Sequence, residues 1–197
     1  MFRSAAAFLA FCPPFKKTGL LIFLLFCQLQ NASADDHAYK VNGIKSAFIY
    51  NIAKFVTWPD NPERNQNVLQ VCFYKQDFIG KAFATVKGRS IHGRVVKQKV
   101  ITELPQSLEC DILLLNQSDM QTYQQEYQAE SAASGLLTIA DLTTSRESGR
   151  IYPGVLITLV RHKASMGFEV SLHQVKQRRL ELSSQLLKLA KILEPEN

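Results

Sequence analysis

The chain has 197 residues, 46% of them hydrophobic and 20% charged, with nine Gly, seven Pro and a formal net charge of +6. That composition excludes a disordered, collagenous or polytopic membrane protein, and it supplies enough apolar side chains for one domain with a real core. Three of the positive charges, Arg3, Lys16 and Lys17, stand in the first 34 residues. The remainder therefore carries no basic block of the kind that phosphate neutralisation requires, and no nucleic acid is expected as a partner.

Residues 1–34 are organised like a secretory signal peptide. A basic stretch containing Arg3, Lys16 and Lys17 precedes the apolar run Leu20–Cys27, and Ala32-Ser33-Ala34 forms a small-x-small cleavage site before Asp35. The apolar run is shorter than the ~20 residues needed to span a bilayer. Cleavage after Ala34 and export to the periplasm are therefore expected, with residues 35–197 forming a single domain. Cys12 and Cys27 leave with the signal, and Cys72 and Cys110 remain as an even pair in an oxidising compartment. One disulfide is the expected outcome; two separately buried thiols are the alternative.

From Tyr39 to Val56, the apolar residues Val41, Ile44, Phe48, Ile52 and Phe55 recur at steps of three and four, predicting a helix that Trp58-Pro59 ends. Val68–Tyr74 is a short β-rich apolar run and predicts a buried strand. A helical stretch is predicted over Asp77–Val86, ended by Gly88. Val95–Ile101 suits a strand near a sheet edge, with Lys97 and Lys99 on it. Cys110–Leu115 predicts a second buried strand, followed by an exposed polar helix to about Ala133, capped by Ser118 or Asp119. Leu136–Ala140 is a third. Arg150–Leu159 and Met166–Leu172 then predict a hairpin. A closing helical region starts near His173; Ser183 or Ser184 caps its last segment, from which Leu186, Leu189, Ala190 and Leu193 face the core. The fold class is thus α/β, a three-layer sandwich with a mixed, largely parallel sheet and a C-terminal hairpin plus helix.

The spacings of common catalytic and phosphate-binding motifs are absent, and the four His are scattered without a metal-ligand spacing. No catalytic residue, metal or cofactor is expected, and a binding protein is a better class than an enzyme. Asp141 follows a predicted buried strand, where open α/β sheets often place functional groups, although a turn cap is the simpler reading. Lys176, Arg178 and Arg179, with Lys188 and Lys191, make the C-terminal region the most basic. They form either a solvated helix face or a contact surface for an acidic partner or anion.

The most distinctive stretch is Val41–Pro59, VNGIKSAFIYNIAKFVTWP. It resembles the N-terminal signature of the YfiR family of periplasmic proteins through Lys45, Ala47, Phe48, Ile49, Tyr50, Asn51, Ile52, Lys54, Phe55, Trp58 and Pro59. A second match, Phe168-Glu169-Val170 followed by LELSSQLLKLAKIL, is similar to the family's closing strand and helix. Gly135–Ile139 resembles a family strand, and Cys72 and Cys110 fall where members carry a bridge. The resemblance implies a dimeric periplasmic regulator that binds the sensor domain of an inner-membrane diguanylate cyclase, YfiN, and represses it. Cyclic di-GMP and biofilm formation would be the output, and a YfiB-like outer-membrane lipoprotein would relieve the repression. The chain departs from the pattern in lacking a second cysteine pair between Leu142 and Tyr152, and in having Arg179 where Gly is frequent. Tyr50, Asn51, Lys54 and Trp58 lie off the apolar stripe and are candidate partner contacts, with helix-end and sheet-covering roles as the simpler reading. A small-ligand-binding sensor domain serving another receptor, such as a histidine kinase, is the alternative function.

Overall fold

The computed structural model describes residues 32–60, 65–126, 135–163 and 165–195, with side chains from His37 onward. Contacts divide the chain after Lys40, and the packing described below is that of Val41 onward. Of the predicted signal segment, all but the helical backbone from Ala32 lies outside the described residues, as does the continuation of the polar helix over 127–134.

Helix α1 (Ala32–Lys54) leads into a two-residue strand, β1 (Val56–Thr57), and then β2 (Val68–Tyr74). A 3-10 turn over Gly80–Thr85 precedes β3 (Ser90–Ile91) and β4 (Arg94–Ile101), and another over Leu104–Glu109 precedes β5 (Ile112–Asn116). Next come α2 (Met120–Glu126), β6 (Leu137–Asp141), β7 (Ile157–His162) and β8 (Ser165–Ser171). The chain closes with α3 (Leu172–Gln177), β9 (Glu181–Leu182), α4 (Ser184–Leu187) and β10 (Lys191–Leu193).

Eight strands form one mixed sheet in the order β10-β8-β7-β6-β5-β2-β4-β3, parallel except for the β7–β8 and β3–β4 pairs. The central strands read as continuous apolar runs because both faces of a mainly parallel sheet are covered. Val71, Phe73, Ile112 and Leu114 join Ile49 and Ile52 of α1 in one core cluster, whereas Tyr74, Leu113 and Leu115 join Met120 and Tyr123 of α2 in the other. The period-2 alternation of the strands thus divides the interior into the two cores of a three-layer α/β fold. Cys72 and Cys110 are joined by a disulfide with a Cα separation of 5.9 Å, and both are fully buried.

Four expectations need correction. The buried stripe of α1 comprises Lys45, Ser46, Ile49, Ile52 and Ala53, while Ile44 is 50% exposed and Phe48 and Phe55 are only partly buried. Apolar periodicity missed this rotation because two of the buried residues are polar and each has a partner: Lys45 pairs with Asp141, and the Ser46 hydroxyl donates to Asn42 O. The Asp77–Val86 stretch forms only a 3-10 turn, entered by an Asx-type turn in which Asp77 accepts from the backbone of Ile79 and Gly80. The helix after β5 is capped by Asn116 rather than Ser118 or Asp119, and it is not an exposed face: Met120 and Tyr123 are buried, with the Tyr123 hydroxyl donating to Gly154 O.

The fourth correction concerns the C-terminal third. Residues 150–156 form a turn-rich loop rather than the start of a strand, since Pro153 offers no amide proton to a ladder. The Gln174 side chain stitches this loop, accepting from Gly154 N and donating to Tyr152 O and Val155 O. Ser183 caps α4 as read from the sequence, but α4 is a single turn and β10 continues as a parallel edge strand on β8. Leu186 and Leu193 are buried, while Leu189 is 74% exposed.

Candidate functional site

Helix α1 runs antiparallel to the central strands. Its Lys45 reaches Asp141 at the carboxyl end of β6, and Trp58, just beyond its other end, meets Asp111 at the entry to β5. The signature segment therefore spans the sheet from one edge to the other.

At the amino edge, Asp111 is the hub. Its carboxylate accepts from Arg94 Nη2 at 2.7 Å and from Gln70 N at 2.7 Å, and its carbonyl accepts from Trp58 Nε1 at 3.3 Å. Arg94 also donates through Nε and Nη2 to Val68 O. One buried pair thus joins β2, β4 and β5 to the end of the signature segment. Trp58, with Thr57, Asp60, His92 and Arg94 among its neighbours, lines a cavity of about 200 Å³ at this edge.

Of the predicted contact residues, Asn51 and Lys54 are exposed on α1. The Tyr50 ring lies 5.7 Å from Lys54 Nζ and 5.6 Å from the Arg89 guanidinium, a cation–π arrangement, and its hydroxyl donates to Ser90 O at 3.4 Å. Lys176 and Arg179 are exposed, whereas Arg178 is buried at 5% exposure, which removes it from any exposed basic surface. Arg179 adopts φ +56°, in the left-handed region that glycine occupies without steric cost. The β1–β9 ladder pairs Thr57 with Glu181, so Trp58 and Arg179 come to the same corner of the molecule. The end of the signature segment and the chain after α3, far apart in sequence, are thereby brought together.

At the carboxyl edge, Lys45 Nζ lies 2.7 Å from Asp141 Oδ2, with both side chains about nine-tenths buried. Asp141 Oδ1 accepts from Thr143 N and Thr143 Oγ1, so the residue caps its turn and holds the helix as well. Lys45, Phe78, Asn116, Gln117, Ser118, Asp141 and Thr144 line an open crevice there. It lies beside the point where the strand order reverses: the chain goes from β2 outward to β4, then returns to the other side of β2 for β5. Nearby, burial and the Glu126 carboxylate raise the Tyr74 phenol above its ordinary value, so Tyr74 stays a neutral donor to Glu126 Oε2.

Sequence reasoning did not single out Arg94, Asp111 or the role of Lys45. The available signals were a carboxylate directly before an apolar strand and a lysine in helical register with Ile49 and Ile52. Among the described residues, no three His, Cys, Asp or Glu side chains are grouped to hold a metal ion, and no helix is long and apolar enough to cross a membrane.

A family model described as YfiR/HmsC-like matches residues 42–191, from the signature helix to the start of β10. No curated protein matches the chain.

Proposed function

From a chain that belongs to the YfiR/HmsC-like family, we propose a periplasmic regulator that acts by protein–protein binding without turnover. It binds the sensor domain of an inner-membrane diguanylate cyclase and represses it, lowering cyclic di-GMP. A YfiB-like outer-membrane lipoprotein sequesters it, and the working form is a homodimer. The observation that carries this reading is the family match across the whole α/β domain. The signal-like sequence of residues 1–34 and the Cys72–Cys110 disulfide support a periplasmic location.

The partner surface is the amino edge, made of Tyr50, Asn51, Lys54 and Trp58 of the signature segment together with Arg179, which the β1–β9 ladder brings to the Trp58 corner, and Lys176 on the preceding helix. Aromatic and cationic side chains of this kind supply the anchors of many interfaces. Deletion of the gene is expected to raise cyclic di-GMP, and an unchanged level with the cyclase expressed would reject the repressor reading. Complementation with a Lys54→Glu, Arg179→Glu chain is expected to leave the level high while the purified variant keeps the wild-type melting temperature. Full repression by that variant would move the contact surface elsewhere.

A further inference from the structure

The carboxyl-edge crevice has a polarity that the partner surface does not explain. Asn116 is 8% exposed and its Oδ1 accepts from Asp119 N and Ser118 Oγ. A backbone N–H can only donate, so the orientation of the amide is fixed and its NH2 faces the other way, where it has no partner among the described residues. The Gln117 Oε1 accepts from Thr144 Oγ1 and its Nε2 has no partner among the described residues; a hydroxyl serves either end of an amide, so this side chain can turn to a ligand. Asp141 has both oxygens engaged, by Thr143 and by Lys45. Lys45 Nζ makes that one contact and has two further N–H groups. The Asn116 and Asp141 side-chain oxygens are thus engaged internally, and the Asn116 and Lys45 donors remain for a ligand.

Asn116 and Asp141 are register partners on adjacent parallel strands and Lys45 pairs with Asp141, so Asn116 and Lys45 line the same crevice. The half-buried Phe78 ring, held edge-on against Phe73 at 5.6 Å, forms an apolar wall of the same crevice. We propose that this crevice binds a small organic carboxylate, its oxygens held by Lys45, Asn116 and Gln117 and its apolar body lying on Phe78. A monoanion with two acceptor oxygens matches these donors. A phosphate dianion is disfavoured, because Lys45, the one cation among the described lining residues, is already shared with Asp141, and no Arg is among them. A cationic ligand would find Asp141, the carboxylate among the described lining residues, already bonded at both oxygens. This site stands independently of which receptor the protein serves.

The test is isothermal titration calorimetry of the purified protein with benzoate, acetate and inorganic phosphate, accompanied by amide NMR. Benzoate is expected to bind saturably and more tightly than acetate, which has no body to place on Phe78, and to shift the side-chain NH2 resonances of Asn116 and Gln117. Asn116→Asp keeps the helix cap but replaces the donor with an anionic oxygen, and Gln117→Glu does the same at an exposed position. Each should weaken benzoate at least about tenfold, the scale of one hydrogen bond to a charged group, with the melting temperature of Gln117→Glu unchanged. The proposal is overturned if none of the three probes binds saturably, if phosphate binds more tightly than benzoate, or if both substitutions leave benzoate affinity intact.

Discussion

The two edges of the parallel sheet each bury one ion pair, yet the pairs differ in what surrounds them. Around Arg94 and Asp111 at the amino edge, hydrogen bonds reach Val68 O, Gln70 N and the Trp58 indole, so the pair is a junction between three strands and the signature segment. Around Lys45 and Asp141 at the carboxyl edge, the further partners are both on Thr143, and the pair borders an open crevice onto which Lys45 and Asn116 bring donors that the fold leaves unused. Burying charge is costly unless geometry and additional hydrogen bonds compensate it. The amino edge meets that condition within the fold. At the carboxyl edge, bonding capacity is left over and directed outward, and this marks it as the edge able to respond to a ligand.

Three sets of substitutions probe the contrast, in descending size. Asp111→Ala should be the most damaging, since it strands a mostly buried guanidinium and removes the partner of Gln70 N; a loss of about 3–5 kcal/mol is expected in urea unfolding. A loss under about 1 kcal/mol would show that the junction is not what holds this edge.

The disulfide anchors the residue next to Asp111, and it closes a loop across a sequence separation of 38. Cys72→Ser and Cys110→Ser should each cost about 2–4 kcal/mol, and the double variant no more than either single one. Full thiol reactivity of the denatured, unreduced protein would contradict the bridge.

The sharpest discriminator is a pair of double substitutions. Lys45→Met alone should cost about 2 kcal/mol by leaving the Asp141 carboxylate uncompensated. Adding Asp141→Asn should return most of it, because the remaining bond to Thr143 N survives. Arg94→Met with Asp111→Asn should stay destabilised, as Val68 O loses both side-chain donors. Equal recovery of the two doubles, measured by thermal and urea unfolding, would erase the distinction between the edges.

Much of this architecture was legible in the sequence because the central strands are apolar on both faces. Val68–Tyr74 matched β2 to the residue, and β4, β5 and β6 were located to within one or two residues at most ends. The helix of the signature was found, but its rotation was not: Lys45 and Ser46 take interior positions that a pattern counting only apolar residues leaves outside. At the C-terminus, SQLLKLAKIL has helical spacing, and its conversion to one turn followed by an edge strand depends on pairing with β8, which a local pattern does not contain. Both ion pairs were invisible for the same reason, since each joins residues whose proximity the sheet order creates. Of the predicted contact residues, the one whose surroundings changed most is Arg178, enclosed by the chain it was expected to leave.

The short β1–β9 ladder, finally, has a kinetic consequence. Val56 and Thr57 find their partners only at Leu182 and Glu181, near the opposite end of the domain. Contacts of such long range form late, because the entropy of closing the intervening chain must be met first. The corner carrying Trp58 and Arg179 is therefore expected to be assembled last, so a protease would cut a partly folded chain there, and an incompletely folded molecule would be unable to engage a partner through it.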